Sequence, residues 1–137
     1  AECAAAFDGF TRSTLDDEMT RQNQNDWPNV FRAARLIPAV DYINANRHRT
    51  LLAKAVTKAM QAYDVVIVPT FSGNQLAITN LTGHPALCMP TGFDKKSGMP
   101  YSITFLGNHW GEGAILKLAQ AYQEATGWHL ERPSQFR

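Results

Sequence analysis

Apolar residues recur along this chain in two rhythms. Between Asn29 and Ile37, the positions of Val30, Phe31, Ala34 and Ile37 mark one face of a helix. Asp26 is placed to cap that helix, with Pro28 in its first turn. Pro38 interrupts it, because proline removes a helix hydrogen bond and crowds the preceding turn. A longer helix is expected from Pro38 to about Ala62. Its buried stripe would be Val40, Ile43, Leu51, Ala55, Val56, Ala59 and Met60. At about 1.5 Å per residue such a helix runs roughly 35 Å, enough to cross a sheet. At Asp64-Val65-Val66-Ile67-Val68-Pro69 the rhythm changes. A run of β-branched apolar residues predicts a strand covered on both faces, and so an α/β layered core.

Beyond that strand lies a small-residue, polar loop, Thr70-Phe71-Ser72-Gly73-Asn74, and then Ile78 to Ala86. A short strand at Leu87 to Met89 is closed by Pro90. Phe93 to Gly98 has turn composition, and Tyr101 to Phe105 alternates strictly. The pair predicts a β-hairpin. Glu112 to Thr126 is an amphipathic helix with Ile115, Leu116, Leu118, Ala119 and Tyr122 inward. Glu112 suits its N-terminal dipole, and Gly127 ends it. The expected fold class is α/β: a partial mixed sheet, one buried strand plus a β-hairpin, covered by helices.

The ends carry weaker patterns. Ala1 to Phe7 is helix-prone up to Gly9 and reads as a helix already under way, as in a segment of something longer. Thr11 to Asp26 is polar and is expected to be a flexible loop. Glu131 to Arg137 is a polar, peripheral tail. A single domain spanning 1–137 is expected.

Composition narrows the function. The chain has 137 residues, a net charge of +1 and 18% charged residues. No clustered basic face indicates direct nucleic-acid binding. Arg47-His48-Arg49 reads as a solvated helix face. No run approaches the ~18 apolar residues of a membrane span. Cys3 and Cys88 admit one disulfide, but reduced thiols in a cytoplasmic protein are expected, with Cys88 serving packing. His48, His84, His109 and His129 share no metal-ligand spacing, and no cofactor is expected. Trp110 and Trp128 are expected to anchor packing.

Several segments in order resemble one family. They are Asp64 to Pro69 with Thr70, then Asn80-Leu81-Thr82-Gly83-His84-Pro85-Ala86, then Gly92-Phe93-Asp94 with Gly98-Met99-Pro100. Phe105-Leu106-Gly107, the helix from Glu112 to Thr126, and Trp128-His129 complete the series, with Arg47 to Leu51 upstream. This is similar to the C-terminal part of amidase-signature enzymes, which include amidases and the A subunit of glutamyl-tRNA(Gln) amidotransferase. The resemblance runs from about Ala34 to Pro133, and more weakly over Ala1 to Phe10.

The resemblance implies amide hydrolysis by a Ser–Ser–Lys arrangement and the C-terminal portion of an α/β/α fold. A neutral lysine relays a proton through a second serine, and backbone amides hold the oxyanion. The family carries those groups in its N-terminal half. Here Ser13, Ser72, Ser97, Ser102 and Ser134 include no Ser-Ser pair. Lys95-Lys96-Ser97 reads as a surface turn. No catalytic residue is therefore expected in this chain. Its expected roles are to complete the sheet and to contact a small amide substrate through Thr70, Phe71, Ser72, Asn74 and Asn80, at the end of a strand. Thr70 and Asn80 would hydrogen-bond an amide, and Phe71 would line an acyl pocket. Against this, Pro69-Thr70 is also a simple chain turn and Asn80 a simple backbone tie. The expected partner is the N-terminal half of the parent enzyme, with homo-oligomers through an exposed apolar face. A non-catalytic α/β binding domain is the alternative. An amidotransferase A-subunit segment is a second one, weighed down by the lack of any acidic residue between Asp64 and Asp94, where such proteins place an Asp for the ammonium of glutamine.

Overall fold

The computed structural model describes residues 1–132, so the tail from Pro133 onward, Ser134 included, lies outside the described residues. The chain forms two compact units, Ala1–His48 and Arg49–Arg137.

The first unit holds α1 (Glu2–Ala6), α2 (Asp8–Arg12), a short 3-10 turn (Leu15–Glu18), α3 (Trp27–Ala34) and the start of α4 (Ala39–Met60). Asp26 occupies the N-cap of α3 with proline in the first turn, as the sequence predicts. Its carboxylate accepts hydrogen bonds from the backbone and side-chain nitrogens of Asn23, not from the helix. Phe7 stacks on Phe31 at 4.7 Å, with Trp27 5.7 Å from the same ring. The segment read as loop contains the 3-10 turn, which buries Asp16. Asp16 Oδ2 lies 2.6 Å from Arg32 Nη2, an ion pair not aligned as a hydrogen bond. Arg32 also reaches Asp17 at 2.5 Å, and Arg35 pairs with Asp8.

The second unit is built on a three-stranded antiparallel sheet in the order β1-β3-β2. The strands are β1 (Val65–Pro69), β2 (Ala86–Phe93) and β3 (Pro100–Gly107), with α5 (Gln75–Thr82) between β1 and β2 and α6 (Glu112–Thr126) after β3. The expected hairpin is present: β2 and β3 pair from Ala86↔Leu106 to Phe93↔Pro100, with a bulge between Pro90 and Gly92. The bulge turns Thr91 so that its Oγ1 accepts a 2.8 Å hydrogen bond from the Tyr122 hydroxyl of α6. Gly92 has φ +138°, and the Trp128 ring lies 3.7 Å from where a Cβ would stand. Trp128 thus packs as expected, edge-on to Phe93. The core is Met89, Phe105, Ile115 and Ala119, flanked by Val65, Leu87, Ile103 and Tyr122. Helix α6 starts at Glu112 and is C-capped by Gly127, as predicted.

Several burial expectations are corrected. Strand β1 is an edge strand among the described residues, and Ile67 is 55% exposed, so it is not buried on both faces here. Of the expected α4 stripe only Met60 is buried; Val40, Ile43, Leu51, Ala55 and Ala59 are exposed. Leu116 and Leu118 of α6 are exposed too, because the helix turns the line of Ile115, Ala119 and Tyr122 toward the sheet. Trp110 is 93% exposed and anchors no packing among the described residues. Helix α5 had no counterpart in the periodicity, since its eight residues mix apolar and polar side chains without a clear stripe.

Candidate functional site

The site grows from the end of β1. Antiparallel pairing sets Val68 opposite Thr104, and Thr104 opposite Cys88. Thr104 and Cys88 therefore share the sheet face opposite to Phe105 and Leu87. At the strand end the Thr70 backbone N–H donates to the Ser102 carbonyl at 3.3 Å, which fixes Thr70 against β3. Its hydroxyl lies 2.9 Å from Thr104 Oγ1 and 3.4 Å from Cys88 Sγ. Two hydroxyls and a thiol thus form a row on one face. Thr104 is buried, whereas Cys88 is exposed, so its thiol does not serve the packing role expected of it. Both cysteines are free.

Beyond Thr70 the backbone turns sharply. Phe71 has φ +62°, a left-handed conformation that a bulky residue adopts at a cost of about 1–2 kcal/mol. The turn holds its ring in solvent, 77% exposed. The Ser72 N–H donates to the Pro69 carbonyl at 3.1 Å, closing the bend. Asn74 caps α5 without a side-chain hydrogen bond to the helix. The side chains of Ser72 and Asn74 are exposed and make no hydrogen bond to other described residues.

Four of the five expected contact residues, Thr70, Phe71, Ser72 and Asn74, therefore lie in one short turn. Asn80 stands apart, in the last turn of α5. Its side chain is exposed and ties down no backbone among the described residues. Thr104 and Cys88 escaped the sequence reading. Strand alternation puts Ser102 and Thr104 on one face, but their meeting with Thr70 depends on which strand pairs with which.

The Lys95-Lys96-Ser97 turn is exposed. Ser97 Oγ donates to Asp94 Oδ1 at 2.8 Å, and the backbone N–H groups of Lys96 and Ser97 converge on the same oxygen. Those bonds, led by the Ser97 amide, with the Tyr101 hydroxyl on Oδ2, hold the Asp94 carboxyl down at about 2. The turn is an Asx-type clasp, with its serine hydroxyl committed to structure. Among the described residues no group of three or more His, Cys, Asp or Glu is placed to hold a metal, and no helix is long and apolar enough to cross a membrane. The row at the end of β1 offers hydrogen-bond donors and acceptors beside an aromatic ring.

No protein-family model matches the chain. Its curated relatives do identify it: the chain is an amidase-signature sequence, corresponding to the C-terminal part of such proteins. The A subunit of glutamyl-tRNA(Gln) amidotransferase from Halalkalibacterium halodurans is 32% identical over 112 residues, covering 68% of this chain and 23% of the relative. Its counterpart from Synechococcus elongatus is 32% identical over 112 residues, again covering 68% of this chain and 23% of the relative. The counterpart from Marinomonas sp. is 29% identical over 147 aligned positions, covering 93% of this chain and 30% of the relative. The chain spans about a quarter of the length of the relatives it matches.

Proposed function

We propose that this chain serves as the C-terminal part of an amidase-signature amidohydrolase. It completes the sheet and supplies one wall of the substrate pocket, while a Ser–Ser–Lys set outside it performs the chemistry. The observation that carries this reading is the turn after β1. There Phe71, Ser72 and Asn74 stand free in solvent beside the Thr70–Thr104–Cys88 row. Hydroxyl and amide groups recognise the carbonyl and NH₂ of a carboxamide, and the Phe71 ring takes an apolar acyl group. A serine oxygen attacks the carbonyl, ammonia leaves with the relayed proton, and water then hydrolyses the acyl ester. The exposed apolar residues of α4 and β1 support a neighbouring region of the same polypeptide packing on them.

The relatives named as amidotransferase subunits favour a second reading, in which the amide is glutamine. The stretch from Val65 to Phe93 has no carboxylate to meet its ammonium group, which supports a neutral amide instead.

The test replaces the matching segment of the Halalkalibacterium halodurans protein with this chain. Ammonia release is then measured from propionamide, benzamide and glutamine. We expect release from the neutral amides, none from the chain alone, and a raised KM in Phe71→Ala. A chimera folded by circular dichroism and gel filtration that releases no ammonia would refute the amidase reading. Release from glutamine only would replace it with the second.

A further inference from the structure

On the second unit, away from the turn after β1, two histidine rings lie face to face. His84 and His109 stack with centroids 3.9 Å apart and planes 26° from parallel. His84, in the turn between α5 and β2, is 4% exposed, and His109, in the turn between β3 and α6, covers it. Every polar ring atom of His84 has a partner: Nδ1 lies 2.8 Å from Thr82 Oγ1, and Nε2 lies 3.3 Å from Thr57 Oγ1 of α4. His109 Nε2–H donates to the Thr82 carbonyl at 2.8 Å. The four side chains thus join α4, the end of α5 and the β3–α6 turn.

Hydrogen-bond bookkeeping assigns the protons. The Thr82 hydroxyl donates its own proton to the Ile78 carbonyl at 2.9 Å. Its oxygen must then accept from His84, so Nδ1 carries the hydrogen in the neutral ring. Nε2 is left with the lone pair, facing Thr57, and is the atom that a proton from solution would take. The surroundings oppose that proton. The ring is buried, a second imidazole lies against its face, and Arg49, Lys54 and Lys58 stand on the neighbouring turns of α4. Lys54 and Lys58 line the same cleft of about 530 Å³ as His109 and Thr57. Helix α5 and strand β2 contribute no charged residue, and the nearest acidic residue along the β3–α6 turn is Glu112. Burial first, and the charge of His109 second, push the His84 imidazole below its ordinary value of 6.5.

We propose that the His84–His109 stack is an acid-release clip. With both rings neutral it fastens α5 to α4 and to the β3–α6 turn, and protonation of His84 lets α5 go. The released helix carries with it the turn containing Phe71, Ser72 and Asn74, which leads directly into its first residue. A further link between α4 and α5 involves no histidine: Arg49 Nε–H donates to the Leu81 carbonyl at 2.5 Å and keeps the helix tethered. The device therefore loosens α5 without dismantling the sheet, whose core of Met89, Phe105, Ile115 and Ala119 lies elsewhere. It is independent of the amide reading, because it concerns the order of the turn and not what the turn binds.

The test follows amide hydrogen exchange in the full chain at pH 7.5 and 5.5, corrected for the intrinsic pH dependence of exchange. Residues 75–82 should lose protection several-fold at the lower pH, while the inner face of α6 holds. In His84→Asn, which keeps a donor for Thr82 but takes no proton, that differential loss should vanish. Parallel changes in α5 and α6, or an undiminished loss in the variant, would overturn the proposal. Should the variant not fold, the wild-type ring decides. A His84 imidazole titrating by NMR at or above the ordinary histidine value sinks the clip, and one titrating below it, in step with α5 exchange, supports it.

Discussion

Asp94 shows how much a single half-buried residue can organise. Its carboxylate gathers two backbone amides and the hydroxyls of Ser97 and Tyr101, and thereby closes the β2–β3 turn. The same Asp94 bond raises the Tyr101 phenol above its usual value. Because the folded carboxyl sits at about 2 against an ordinary 3.8, the folded state holds fewer protons there than the unfolded chain. The turn's contribution is complete above pH 3.8 and fades as pH falls towards 2. Asp94→Asn should therefore flatten the acid loosening of the hairpin in that window, read from the exchange of the Ser97 and Met99 amides. An unchanged acid profile would show that the clasp does not matter. Gly107 is constrained by space instead. A Cβ there would stand 2.7 Å from Ile115 Cδ1 and 3.4 Å from the Gly111 carbonyl oxygen. Ile115 belongs to the core and has little room to yield. Gly107→Ala should cost about 1–3 kcal/mol in urea unfolding, as overpacking does.

Elements differ in how plainly they announce themselves. Helix α6 was legible because Ile115 and Ala119 lie one turn apart, Glu112 opens it and Gly127 takes the left-handed C-cap. The hairpin was legible from the Asp94–Gly98 turn between two short strands. Helix α5 was not, since its two buried residues are Thr79 and Thr82, whose hydroxyls bond back to the helix's own carbonyls, and threonines on the inner face leave no apolar rhythm. The 3-10 turn at Leu15–Glu18 was hidden for a similar reason: polar residues close it. There Asp16 is 2% exposed and faces Arg32, whose side chain remains about one-third open at 35%. Arg32→Ala strands a buried carboxylate, and should destabilise the first unit by about 1–3 kcal/mol, measured by its own unfolding transition. Asp16→Asn combined with Arg32→Ala should recover part of that loss. Failure to recover any would mean that the pair acts through packing alone.

For the whole molecule, the expectation concerns uncovered surface. Val40, Ile43 and Leu51 of α4, Ile67 of β1 and Leu116 of α6 are exposed apolar side chains on described elements. We expect the chain by itself to bind a hydrophobic dye and to associate as its concentration rises, followed by sedimentation. Placed within the relative's scaffold, it should lose the dye signal. Persistent monomers without dye binding would argue that these side chains are ordinary surface. The family was readable because the ordered segments from Asp64 to His129 are local signals. The candidate turn of Thr70, Phe71, Ser72 and Asn74 was legible only as a polar loop at the end of a strand, and that is where the fold places it.

By itself the sequence determined the elements whose side chains repeat with a period, the glycines that end helices, and the amidase-signature resemblance. Tertiary structure alone decided that Thr70 meets Thr104 and Cys88, that His84 stacks on His109, and that most of the α4 stripe faces outward. These depend on strand order and on which neighbour lies across a gap of many residues, and hydrophobic periodicity records a side chain's preference for burial without naming the surface that buries it.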